Sequence, residues 1–409
     1  MAVPKHSAVM SPNLLCDGLS PRPMSVTPWP NGGRAITAAL VCAAFILGGC
    51  AGKGGAAISR SANLSQAQYD HLQRWHLEPS RIMCDGLTER ACEAVDPGQA
   101  VLLPDGTMLV HSQDHSVARI DAGGRVVSRF GRHGDGPGEY RSVVALGRMR
   151  SGTVWIADLA RRTMLLYSPD TSTAPTATVL EAPRYMQSLR GYGDIYGYHI
   201  VPGAKHLGDS VLSTLEIHGI TGKTLASVQV SAYAMQTDFS DLVPIPGWFA
   251  ARPVWAIGPD STIVYSNGKR YVVDIVGPGI RHRQLVVERP QRKVTGADIK
   301  AQAAAAQMGP HNDNILNMKS ANAARMFPAI TAVRVLGGQM AALRVDDEQE
   351  PDSARWDLLR TDSLQLVGFV RLGPDDDIVG GRSDSVVVMH QTVNGVSQLL
   401  IERLGSGPF

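Results

Sequence analysis

Three observations predict an all-β chain, a six-bladed β-propeller with a short helical insertion between blades four and five. A strand–turn–strand unit recurs six times. Each unit centres on a tight-turn pair. From about residue 99 onward, helix-length periodicity is almost absent.

The six units are Ala100–Ser112, Val143–Asp158, Gln187–His199, Val254–Asn267, Thr331–Arg344 and Ile378–His390. Their turns fall at Asp105-Gly106, Ser151-Gly152, Gly193-Asp194, Asp260-Ser261, Gly337-Gly338 and Ser383-Asp384. Such pairs supply the positive φ that tight hairpins need. Third and fourth strands follow most units, as at Val117–Asp121 and Arg125–Phe130. A four-stranded sheet cannot bury both faces alone, and radial stacking covers them while leaving only short edges. A sandwich or barrel would not show a period this long.

The first fifty residues read as a leader. Ala35–Gly49 carries no charge, follows Arg34, and ends at Leu47-Gly48-Gly49-Cys50. Fifteen residues fall short of the roughly 20 that span a bilayer, and the layout is that of a secretory signal. The ending resembles the bacterial lipobox, which implies a lipid on Cys50. Met24 and Met1 both remain possible starts. Residues 51–80 read as a flexible tether with a short helix near Ser65–Trp75. Residues 81–409 read as the propeller, with its helical insertion at about 294–327.

Net charge is +2 over the whole chain, and 36 basic and 36 acidic residues remain without residues 1–50. No basic stripe marks a nucleic-acid surface. Of five cysteines, Cys84 and Cys92 are left after the leader and the lipid site, and in an oxidising compartment they suggest one disulfide. The sixth unit runs out of strands after Ser397–Arg403, so the stretch Leu77–Ala94 is expected to close the ring.

Between the first two units lies Asp121, Gly124, Phe130-Gly131 and Gly134-Asp135-Gly136-Pro137-Gly138-Glu139-Tyr140, followed by Trp155-Ile156-Ala157-Asp158. This run resembles the repeat of NHL-type and TolB-like six-bladed propellers. The resemblance is confined mainly to residues 99–170 and is closest to lipid-anchored propellers of Gram-negative bacteria. It implies a fold and an envelope location, with Ala51 after the lipid site implying the outer membrane facing the periplasm. No reaction follows, because propellers host many functions.

Walker, HExxH, EF-hand and GxSxG signatures are absent from the sequence. Gly134–Gly138 reads as a turn between strands, since no helix follows to hold a phosphate. Six positions on from the turns, or five in the third unit, stand Ser112, Asp158, His199, Asn267, Arg344 and His390, all polar. In a propeller these strand ends converge on one face, where the blade-connecting loop brings Glu139 and Arg141. A polar ring at a concave mouth is a binding-site expectation. Its alternative is that strand-end polar groups cap loops.

The favoured reading is a module binding an envelope protein or a small ligand, without cofactor or nucleic acid, and touching the membrane only through its lipid. The alternative is a divalent-metal hydrolase or lyase of the sugar-lactonase type, using Glu139, Asn267 and Asp158. His199 and His390 then offer bases or zinc ligands, and Arg344 works against a cation. Finally, Thr295 and Asp298 cap an Ala-rich helix ending near Met308, with a second helix at about 314–326. That insertion is expected either over the mouth, as a lid, or as padding on the blade-four rim.

Overall fold

The computed structural model describes residues 60–85, 100–103, 105–111, 116–168, 175–180, 186–200, 213–230, 248–258, 261–277, 280–305, 320, 323–337, 339–347, 350, 352–391 and 397–405. Among the described residues, three elements precede the first repeat: β1 (Arg60–Leu64), α1 (Gln66–Asp70) and β2 (His76–Asp85). Blade one is β3 (Ala100–Leu102), β4 (Met108–His111), β5 (Val117–Ile120) and β6 (Val126–Phe130). Blade two is β7 (Val143–Arg148), β8 (Val154–Asp158), β9 (Thr163–Tyr167) and β10 (Thr176–Val179). Blade three is β11 (Met186–Tyr192), β12 (Ile195–Ile200), β13 (Ser213–Gly219) and β14 (Thr224–Val230). Blade four is β15 (Val254–Ile257), β16 (Ile263–Ser266), β17 (Val272–Gly277) and β18 (Ile280–Val287), followed by α2 (Gly296–Ala305). Blade five is β19 (Ile330–Leu336), β20 (Met340–Val345), β21 (Ala354–Arg360) and β22 (Gln365–Leu372). Blade six begins with β23 (Asp377–Arg382), β24 (Ser385–Gln391) and β25 (Ser397–Gly405).

Each blade is an antiparallel meander, and the inner strands β3, β7, β11, β15, β19 and β23 touch in sequence around a closed ring. The molecule is a six-bladed β-propeller. The hairpins between first and second strands turn through positive φ, at Gly106 (+85°) and Gly152 (+91°), and at Ser261 (+61°) in blade four.

Strand alternation builds the core. Successive side chains point to opposite faces of a strand, so in a blade they reach opposite neighbours. Met108 and Val110 of β4 pack with Val387 and Met389 of blade six, while Leu109 between them packs with Leu146 and Ile156 of blade two. Likewise Ile156 faces blade one, and Trp155 faces Leu189 and Tyr196 of blade three. One apolar cluster fills each of the six gaps between neighbouring blades. Such strands are buried on both faces, and β8 is buried at every position.

The ring closes through β2, which runs antiparallel to β25 with Leu77 opposite Leu404 and Cys84 opposite Leu399. The N-terminal stretch therefore supplies the outer strand of blade six, as the missing fourth strand required. Residues 60–80 correct the tether reading. β1 lies parallel on β18 as a fifth strand of blade four, with Arg60 opposite Arg283 and Leu64 opposite Val287. The helix α1 is shorter than Ser65–Trp75, because Trp75 donates its backbone N–H to Phe369 of β22 and so leaves the helical path. Its start is a capping box between Ser65 and Gln68. What holds the segment is Tyr69, 3% exposed between blades four and five. Its hydroxyl donates to Asp357 at 2.8 Å, as does that of Tyr271 at 2.7 Å, while Arg355 Nε donates to the other oxygen of Asp357 at 2.8 Å. The buried carboxylate is thus fully engaged, which offsets its desolvation.

In the insertion, α2 begins with the Thr295–Asp298 cap: Asp298 Oδ2 accepts from the Thr295 amide at 2.7 Å, and the Asp298 amide donates to Thr295 Oγ1 at 3.2 Å. Most of the second helix read from sequence lies outside the described residues. Its C-terminal end is extended, with Met326 bridged to Lys293 and the Val294 amide donating to the Arg325 carbonyl. Cys50 and Cys92 lie outside the described residues. Cys84 has a described backbone in β2 only.

Candidate functional site

First strands begin, and second strands end, on one face of the propeller: Ile330 pairs with Val345, and Asp377 with Met389. The polar residues read from sequence as a ring stand at these ends, but their side chains do different things.

Asp158 is fully buried. One oxygen accepts from the Arg141 amide at 2.9 Å, and the other from the amides of Ser142, Ala160 and Arg161 at 3.1, 3.1 and 3.3 Å. This carboxylate joins the blade-one-to-two loop to the turn after β8. Its lone pairs are spent on the backbone, which corrects its reading as a ligand contact. Glu139 accepts from Arg132 Nε at 2.6 Å and from the Gly136 amide at 2.6 Å. The Gly136 amide and the Arg132 guanidinium hold its carboxyl below the ordinary value. A side chain at Gly134 would collide with that carboxylate, so the Gly-rich run is a loop wrapped on Glu139. Arg141 is bidentate to Asp135, both contacts 2.5 Å, and Asp135 also receives Arg161 at 3.0 Å. The two guanidiniums press the Asp135 carboxyl far down, and Asp135 in turn raises Arg141.

Asn267 Oδ1 accepts from the Lys269 amide at 2.9 Å, an Asx turn after β16. His390 Nδ1 lies 2.8 Å from Asp376, whose carboxylate also takes the Gln391 and Gly373 amides. Ser112 lies outside the described residues, and of His199 only the backbone is described. Of the ring, Arg344 lines a cavity.

That cavity, about 810 Å³, opens on the same face over blades four to six. The starts of β15, β19 and β23 and the end of β20 form its walls, and Gln302 of α2 and Phe249 complete it. The insertion therefore stands at the mouth, beside Arg344. Three aspartates and four arginines face the space. Arg334 pairs with Asp377 at 3.2 Å, and Arg292 with Asp346 at 3.3 Å. Asp347 pairs with Arg371 at 2.6 Å and Arg355 at 3.5 Å, both buried behind the wall. Burial outweighs the pull of Arg292 and Arg289 and raises the Asp346 carboxyl. Arg344 Nη2 donates to the Pro374 carbonyl at 2.7 Å. Arg190 and Arg334 line both this cavity and a second one of about 290 Å³ among the inner strands. The two spaces are thus upper and lower chambers along the propeller axis.

The ring rule selected strand ends and missed Arg190, Arg292 and Arg334. A sequence signal existed for two of them. Arg190 in QSLRGY and Arg334 in TAVRVL interrupt inner strands, and a charge there has only the axial channel to face.

No family model matches the chain, and no curated protein matches it. Among solved structures, an exported protein from Bacteroides fragilis is similar at 10% identity and a TM-score of 0.50, over 85% of this chain and 100% of that one. A DUF4221 family member from Bacteroides vulgatus is 8% identical, with a TM-score of 0.45 over 81% of this chain and 96% of the other. Virginiamycin B lyase from Staphylococcus aureus is 10% identical, with a TM-score of 0.41 over 81% of this chain and all of its own. At such identities the likeness to the Bacteroides fragilis protein is one of fold, and the fold is the six-bladed propeller.

Proposed function

We propose that this chain is an exported, lipid-anchored envelope protein whose propeller is a binding module, with its ligand seated in the cavity over blades four to six. The observation that carries the reading is that cavity. Its volume falls in the range of roughly 300–1,000 Å³ typical of ligand sites, and charged groups from blades three, five and six converge on it beside apolar side chains. Export and anchoring rest on the charge-free run Ala35–Gly49 and the Leu-Gly-Gly-Cys ending, with the outer membrane as destination. The geometry is less favourable to the lactonase-type alternative: Asp158, Glu139 and Asn267 accept hydrogen bonds from backbone amides, and Glu139 also from Arg132.

Two variants test this. Cys50→Ser should move the protein from the membrane to the soluble fraction of its host; unchanged membrane retention contradicts anchoring. Thr331 is exposed at the cavity wall, so Thr331→Trp should fill the space without disturbing the core. Components of envelope extract that stabilise the wild type against heat should fail to stabilise this variant. Equal stabilisation of both places the site elsewhere.

A further inference from the structure

We propose that this cavity recognises an anionic group, a carboxylate or a phosphate on its ligand, and that Arg344 is the residue that receives it. The inference rests on the cavity being the binding site. It follows from how the charges around the cavity are matched. Each of the three lining aspartates already has a guanidinium: Asp377 has Arg334, Asp346 has Arg292, and Asp347 has Arg371 and Arg355. Arg344 stands differently. Among the described residues its guanidinium makes one hydrogen bond, to a neutral acceptor, the Pro374 carbonyl, and no carboxylate lies within ion-pair distance of it.

A guanidinium carries five N–H donors in a planar fork. One bond to a carbonyl leaves four donors and a whole positive charge at the edge of a half-buried concave space. Displacement of water by a ligand strengthens any charge interaction made there. The fork matches the two oxygens of a carboxylate or phosphate, and such bidentate pairs are among the stronger polar contacts. The Pro374 carbonyl fixes one end of the fork, so less side-chain freedom is lost on binding. Arg190 and Arg334 continue the cationic lining downward into the lower chamber.

A second observation concerns the same cavity. Phe249 lines the cavity with its backbone at φ +59°, a region that bulky residues rarely occupy. Its ring packs on Phe327 at 4.5 Å, and Arg292 lies over the Phe327 ring, 3.3 Å from its centroid. Strained backbone persists where surrounding structure enforces it, often at ligand sites. Phe249, backed by Phe327, gives the anion's carrier an apolar surface in the same cavity.

The test uses the full chain in detergent. Citrate and inorganic phosphate are titrated separately at constant ionic strength set with sodium chloride, and binding is read by calorimetry and by the Arg344 side-chain Nε resonance. At least one anion should bind saturably and shift that resonance. Arg344→Gln should weaken it at least tenfold, Arg344→Lys should retain part of the affinity, and Arg125→Gln, an exposed control in blade one, should change nothing. Tighter citrate binding identifies a carboxylate ligand; tighter phosphate binding identifies a phosphorylated one. Absence of saturable binding, or equal affinity in Arg344→Gln, overturns the inference. So does a neutral envelope ligand that Thr331→Trp excludes and Arg344→Gln does not. That last result would leave the cavity reading standing.

Discussion

At the scale of single residues, a polar side chain at a strand end serves the backbone before it serves a ligand. Asp158 shows this most fully, with four amides on two oxygens in a site without solvent. Replacing it by Ala leaves those donors unpaired and buried, at a cost of about 2–4 kcal/mol. Urea unfolding should record that loss, while anion binding by the folded fraction stays as in the wild type. Asp105 gives a pH-dependent case. Burial raises its carboxyl, but Thr107 through its hydroxyl and amide, then Arg148 and Arg119, bring it down to about 2 from 3.8. A carboxylate depressed in the fold stabilises it above the unfolded value and loses that contribution as pH falls through the folded one. Arg148 belongs to blade two, so this contact, 2.5 Å long, staples blades one and two. Asp105→Asn should therefore cost under about 1 kcal/mol at pH 7, because the group is largely solvated. The melting-temperature gap between variant and wild type should close between pH 4 and pH 2. Which polar residue would line the cavity was not legible in sequence: Asp158 and Arg344 occupy equivalent positions, and only the loops beside them decide that one is caged and the other open.

Among elements, the meanders were readable because the turn pairs punctuate them and both-face burial makes stretches such as Val154–Ala157 uniformly apolar. The N-terminal segment was readable only in part. β2 could be anticipated, since blade six lacked a strand. α1 was anticipated as a helix and only its length was wrong, whereas β1 could not be, because Gly/Ala/Ser-rich surroundings hide a five-residue strand whose pairing partner lies more than 200 residues away. The two strands should differ in consequence. Removing residues 60–64 uncovers β18, leaving it an outer edge like β10, and should lower stability modestly. Deleting residues 60–85 also removes β2 and Tyr69. It opens blade six along β25, leaves Asp357 without one of its hydroxyl partners, and exposes an unpaired edge. Thermal unfolding and light scattering should show a folded monomer for the first deletion and aggregation for the second. A soluble, cooperatively melting product from the second would mean the ring closes without β2.

For the whole molecule, the asymmetry of the ring matters more than its repetition. Blades four, five and six are tied together by α1, β1 and β2 and carry the insertion, and the cavity opens over these same blades. The channel axis, with Arg190 and Arg334 shared between chambers, leads from that cavity into the ring. The central claim is that ligand enters on this face. A photo-crosslinking amino acid at Thr331, on the cavity wall, compared with one at exposed Ser151 in the hairpin of blade two on the opposite face, tests it directly in the living host. Intact-mass analysis after illumination should show a discrete added mass with the probe at Thr331 and none with the probe at Ser151. A discrete adduct at Ser151 with an unmodified Thr331 protein would contradict the account.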